Sequence, residues 1–93
     1  MPAVARLGDM STGHDGFPAR GNDSASPNVF INNIAAHRVG DHWPLHCTLV
    51  CHDGVESTGS PTVFVNNQPV ARVGDNISCG DQVAAGSPNV FAN

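Results

Sequence analysis

"SPTVFVNNQPVARVGD", residues 60–75, is the stretch from which the fold can be read. Val63, Phe64 and Val65 favour an extended strand. Asn66 and Asn67 follow, and asparagine tolerates the left-handed backbone that a tight hairpin turn requires. The chain then returns through "PVARV" and stops at Gly74-Asp75, a turn signal. The segment therefore predicts a β-hairpin.

Both halves of the hairpin recur. "SPNVFIN" at 26–32 and "SPNVFAN" at 87–93 repeat the outgoing strand, and "ARLGD" at 5–9 and "HRVGD" at 37–41 repeat the return. The step from Asn32 to Arg38 equals that from Asn66 to Arg72. The separations from Arg6 to Ser26, Arg38 to Ser60 and Arg72 to Ser87 all differ. Rigid hairpins thus alternate with loops of varying length, the usual division between scaffold and functional loop. The last "SPNVFAN" lacks a return strand and the first "VARLGD" lacks an outgoing one, so the two ends are expected to pair and close a pseudo-three-fold arrangement. The fold class is all-β: three repeated hairpin units in one domain spanning residues 1–93. The Val and Phe of Val29/Phe30, Val63/Phe64 and Val90/Phe91 point to opposite sides of their strands. One set should fill the core and parts of the other could meet a partner, although ordinary core is the preferred reading for most of the six.

Composition narrows the function. The chain has 93 residues, with Gly 10 and Pro 7, and only 13% of it is charged. A domain this small buries roughly 60–65% of its unfolded surface, so a metal, a disulfide or a partner chain is expected to reinforce it. The net charge is −4 with four basic residues and no lysine, which argues against nucleic acid as a partner. No apolar run approaches the ~20 residues of a membrane span. The start, "MPAVARLGDM", has no secretory pattern, so synthesis in the cytoplasm is expected. Cysteines there serve more often as thiols or metal ligands than as a disulfide framework.

The soft ligands crowd into "HCTLVCHDG", residues 46–54. Counted from the preceding Gly-Asp, His14 stands five positions after Asp9, His46 five after Asp41 and Cys79 four after Asp75. Three-fold symmetry would bring these three together near the axis. His52 could double back as a fourth, giving a closed site of His14, His46, His52 and Cys79. Nitrogen and sulfur donors in a tetrahedron suit one structural Zn2+. Spacing leaves alternatives open: a local His46–Cys51 or Cys47–His52 pairing, a Cys47–Cys51 disulfide, or a role for His42. His37 takes the slot of Ala5 and Ala71 and reads as a packing histidine. Asp15, Asp53 and Glu56 lie near the ligands, so a small zinc-dependent hydrolase or metal carrier is the second reading. The closed ligand set and the absence of an H-E-x-x-H motif favour a non-catalytic protein.

The alternation of "ARVGD" with "GSPTVFVNNQPVARVGD" resembles the PAAR-repeat family along the whole chain. "IAAHR" at 34–38 and "QPVAR" at 68–72 stand where the family's Pro-Ala-Ala-Arg tetrapeptide falls, neither as a literal copy. The resemblance implies a short cone of β-hairpins with a zinc ion near its tip, held by three His and one Cys; the matching positions are His14, His46, His52 and Cys79. It implies a base that docks on the blunt end of a trimeric β-helical spike, of the valine-glycine repeat type or a phage baseplate spike, in type VI secretion systems and contractile phage tails. One chain would cap each trimer and aid puncture of a target membrane. The protein would be assembled on the injection machine or virion and delivered to the target cell. Because repeats fill residues 1–93, any effector is expected to be carried separately or bound non-covalently.

Overall fold

The computed structural model describes residues 1–93 and contains no helix. Three antiparallel hairpins are formed by β1 (Phe30–Ile31) with β2 (Ile34–Ala35), β3 (His42–Cys47) with β4 (Cys51–Val55), and β5 (Phe64–Val65) with β6 (Gln68–Pro69). The β1–β2 and β5–β6 turns are built alike. Asn32 and Asn33 have φ of 55° and 64°, and Asn66 and Asn67 have φ of 53° and 64°. Two consecutive positive φ values match the twist of the flanking strands, and Asn is among the few residues that adopt them readily.

The three units meet in a closed ring of backbone hydrogen bonds. Ala5 N–H donates to Ala71 C=O at 2.9 Å, Ala71 N–H to His37 C=O at 2.9 Å, and His37 N–H to Ala5 C=O at 3.1 Å. All three residues are fully buried. The missing third hairpin is completed by the chain ends: Ala3 bridges Phe91, and Val4 N–H donates to Val90 C=O at 3.0 Å. That bond is the counterpart of Ala36 N–H to Val29 C=O and Val70 N–H to Val63 C=O, both 3.0 Å. The expected pairing of the ends is therefore present.

Each Arg-x-Gly-Asp segment forms the same clasp. Arg6, Arg38 and Arg72 donate from Nε to Asp9, Asp41 and Asp75 at 3.0, 2.9 and 3.0 Å, and their backbone N–H groups bind the same carboxylates. The intervening glycine turns the chain at φ of 86°, 92° and 94° in the three copies, a region that a side chain would strain. In each outgoing segment the Ser hydroxyl (Ser26, Ser60 or Ser87) accepts the N–H of the residue three positions on, at 2.9 Å in every copy.

Two apolar clusters lie along the body, whose extents are 37 × 24 × 22 Å. Val4, Ala36, Val65, Val70 and Ala92 form the first, and Ala5, Trp43, Ala71, Ile77 and Val83 the second. Val29 and Val90 pack against the first cluster. Phe30, Phe64 and Phe91 do not: they remain 57%, 56% and 49% exposed. The preference for ordinary core is corrected for these three and for Val63, which is 39% exposed. At Val29/Phe30 and Val90/Phe91 the pleat sends the Phe away from the side on which the Val packs.

Candidate metal centre

The loops after Gly-Asp build the opposite half of the molecule. Glu56, which belongs to the second of them, explains how His37 fits where the other units have alanine. His37 is fully buried, and its Nδ1 lies 2.7 Å from the Ser24 carbonyl. A carbonyl only accepts, so Nδ1 carries a proton. Its Nε2 faces Glu56 Oε1 at 3.1 Å, and the Trp43 indole N–H donates to the same oxygen at 3.0 Å. Burial pushes the Glu56 carboxyl up, against the hydrogen bond and charge of His37. The packing role read for His37 is thus present, with a buried acid as its partner. Glu56 is committed to this core contact, and its Oε2 has no hydrogen-bond partner.

The second loop is itself a hairpin, where the sequence reading expected only a variable loop. In β3 and β4, His46 pairs directly with His52 and Cys47 with Cys51. Pro44 and a register irregularity between Trp43 and His46 interrupt the alternation that would announce a strand. Cys47 and Cys51 form a disulfide, with Cα atoms 4.1 Å apart. This corrects the expectation of free thiols or metal ligands at those two positions. The cross-strand register sets the sulfurs against each other, and oxidised sulfur no longer offers a thiolate to a metal. The local His46–Cys51 and Cys47–His52 pairings therefore fall away. Beyond the disulfide the turn carries fully exposed Leu49.

The structure brings His14, His46, His52 and Cys79 together: one donor atom from each lies within 4.8 Å of all the others. The Nε2 atoms of His14 and His46 are 3.3 Å apart, those of His14 and His52 3.1 Å, and those of His46 and His52 2.7 Å. Cys79 Sγ lies 3.9 Å from His46 Nε2. For bonds of about 2.0 Å to nitrogen, a tetrahedron places its nitrogens about 3.3 Å apart. The spacing and the donor set fit a tetrahedral metal ion. His46 is already oriented as a ligand, since its Nδ1 donates to the Pro18 carbonyl at 2.8 Å and leaves the Nε2 lone pair toward the cluster. Desolvation, then the neighbouring His46, His14 and Arg20, lowers the His52 pKa, a shift toward the neutral ring that a metal ligand needs.

Phe17 and Arg20 complete the surroundings, and neither was singled out from sequence. The Phe17 ring stacks on His52 at 4.0 Å and on His14 at 5.0 Å. Arg20 Nη2 donates to Cys79 Sγ at 3.5 Å. Phe17 carries no periodic signal. Arg20 carries none either, and stands out only as the one Arg outside the three Arg-x-Gly-Asp copies. His42 stands apart from the cluster: its Nδ1 faces Asp23 at 2.8 Å and its Nε2 faces Asp53 at 2.9 Å. With each ring nitrogen held by a carboxylate, His42 has no lone pair to give. Asp15 is exposed beside His14, with its carboxylate 3.6 Å from Nδ1.

Three hairpin units closed around an axis, with three imidazoles and one thiol converging from their loops, define a class of β-cones with a site able to hold a metal ion. The chain belongs to the PAAR motif family, whose model matches residues 21–85. No curated protein matched in a direct comparison. Membership implies a spike-tip role in type VI secretion or phage systems, and the family is structural rather than enzymatic.

Proposed function

We propose that the protein caps and sharpens a trimeric β-helical spike of a contractile injection machine, one chain per trimer, and aids puncture of a target membrane. The observation that carries this reading is the outward presentation of Phe30, Phe64 and Phe91 at equivalent positions of three units. A single chain thereby offers a true trimer three similar apolar patches. His14, His46, His52 and Cys79 hold one Zn2+, which supplies rigidity by tying three loops together. Residues 1–93 act as one tip domain. The protein is made in the cytoplasm, assembled on the machine or virion, and delivered to the target cell. Nucleic acid is not among its partners. Each of the four arginines is paired with an aspartate, which leaves no cationic side chain of the Lys or Arg type free for phosphates.

Two of the three acids that could serve a hydrolase as a base are engaged elsewhere. Asp53 is engaged by His42, and Glu56 by His37 and Trp43.

The experiment is stoichiometry by native mass spectrometry of the protein mixed with a trimeric spike of the valine-glycine repeat type. One chain per trimer is expected, and replacing Phe30, Phe64 and Phe91 by Glu should abolish the complex. Three chains per trimer, or binding indifferent to the Phe replacements, would sink the docking model. X-ray absorption at the zinc edge tests the site independently: about three nitrogens and one sulfur are expected.

A further inference from the structure

Three of the four arginines repeat one contact, each closing on the aspartate three residues ahead. Arg20 is different. It is 8% exposed, and all three of its nitrogens are engaged. Nη1 donates to Asp81 Oδ2 at 2.7 Å, Nε to the Pro44 carbonyl at 2.8 Å, and Nη2 to Cys79 Sγ at 3.5 Å. The guanidinium carbon lies 5.4 Å from the Trp43 ring centroid. Asp81 is fixed in turn by the Thr12 hydroxyl at 2.6 Å and the Gln82 N–H at 2.9 Å. The fork therefore has little freedom to turn, and one of its arms meets the sulfur of the candidate metal centre.

The same short segment touches a second donor, since the Pro18 carbonyl accepts from His46 Nδ1. Residues 18–20 thus hold one nitrogen ligand and the sulfur ligand from outside. Groups in that position orient metal ligands and tune them. A buried cation beside a divalent metal is repelled by it, unless a negative sulfur lies between the two and is shared.

We propose that Arg20 is a positioning residue for the metal centre: its N–H···S hydrogen bond aims Cys79 Sγ at the three imidazole nitrogens and withdraws electron density from the sulfur. This rests on the reading of the cluster as a metal site. The hydrogen bond stabilises the sulfur lone pairs, so charge transfer from sulfur to a bound metal requires more energy. Removing it should strengthen sulfur donation while loosening its aim. A buried ion pair that served only the fold would leave that transition where it is.

Co2+ titrated into the full chain is the probe, because it shows both tetrahedral geometry and a sulfur-to-cobalt band. Arg20→Gln should bind Co2+ about 10–100-fold more weakly and move the band to longer wavelength. Arg20→Lys retains a cation opposite Asp81 but not the fork, and should move the band the same way with the fold intact. In a Cys79→His background, which keeps four donors, Arg20→Gln should cost no further affinity. Folded variants with an unchanged band and affinity overturn the role of Arg20 alone. So does an equal loss in the Cys79→His background, or a Lys variant that cannot fold, since either would show that the fork serves the fold. A wild-type chain that takes up no cobalt overturns the metal site itself, and this role with it.

Discussion

The two halves of the molecule solve the same problem by opposite means. In the hairpin half, three copies of one pattern satisfy one another through backbone hydrogen bonds and identical Arg–Asp clasps. In the loop half, each unit contributes something the others lack. The first supplies His14, Phe17 and Arg20, the second a disulfide-closed hairpin with two histidines, and the third Cys79 and Asp81. Repetition supports the first half, and heterogeneous side-chain chemistry supports the second. On the proposed function, symmetry suits a base that faces a trimer, while a four-ligand site must depart from three-fold repetition by taking two ligands from one unit.

The largest effect expected from breaking this contrast is metal removal. Chelation, or His46→Ala, should lower stability by several kcal/mol, at about 4–8 °C of Tm per kcal/mol for a domain of this size. Hydrogen exchange should show β3 and β4 losing protection first while the Ala5–Ala71–His37 ring keeps it. Simultaneous loss in both halves would mean that they are one cooperative unit.

Glu56→Ala comes next. It strands the Trp43 indole N–H and the His37 ring in the core, and should cost about 3–5 kcal/mol by denaturant unfolding. Glu56→Gln retains an oxygen for Trp43 and should cost clearly less. Equal losses would show that the contact contributes volume alone.

The turns sharpen the comparison from the symmetric side. Asn33→Ala and Asn67→Ala each place a Cβ without a polar side chain at φ of 64°. Each should cost about 1–2 kcal/mol, and the two values should agree within a few tenths. A marked disagreement would break the equivalence of the hairpins.

The smallest effect belongs to His42. Hydrogen bonds to Asp53 and then Asp23 raise its pKa. A raised folded pKa means that the clasp contributes fully below the unfolded value near 6.5 and is lost as pH rises through the folded value. Both partners are largely exposed, so about 0.2–1 kcal/mol is at stake. The Tm difference between wild type and His42→Ala should be larger near pH 5.5 than in the alkaline range. A difference that grows with pH would show that the sign is wrong.

The sequence disclosed these halves unequally, for the same physical reason. Backbone pairing repeats with the chain, so the Asn-Asn turns, the Gly-Asp stops and the pairing of the two ends were readable from spacing. The convergence of His14, His46 and Cys79 was readable because their offsets follow the repeat. The β3–β4 hairpin was not, because Pro44 and the register irregularity erase alternation. The disulfide depends on that register, and the reading from compartment pointed the other way. Which of Val or Phe faces outward at each outgoing strand was also hidden, since both are apolar and alternation names two sides without saying which is wet. Phe17 and Arg20 act through contacts made far along the chain, where no local pattern reaches.

The bridge between Ala3 and Phe91 has a kinetic meaning. The segment around Ala3 and Val4 meets its outgoing-strand partner only after residue 91 has been made, so the third hairpin equivalent cannot close before then. Until then Val4 N–H lacks Val90 and Ala3 lacks Phe91, although Ala5 can already pair with His37 and Ala71. Contacts of such sequence separation slow folding. The nascent protein should therefore stay open, and prone to stray pairing at its edges, until the final hairpin equivalent is completed.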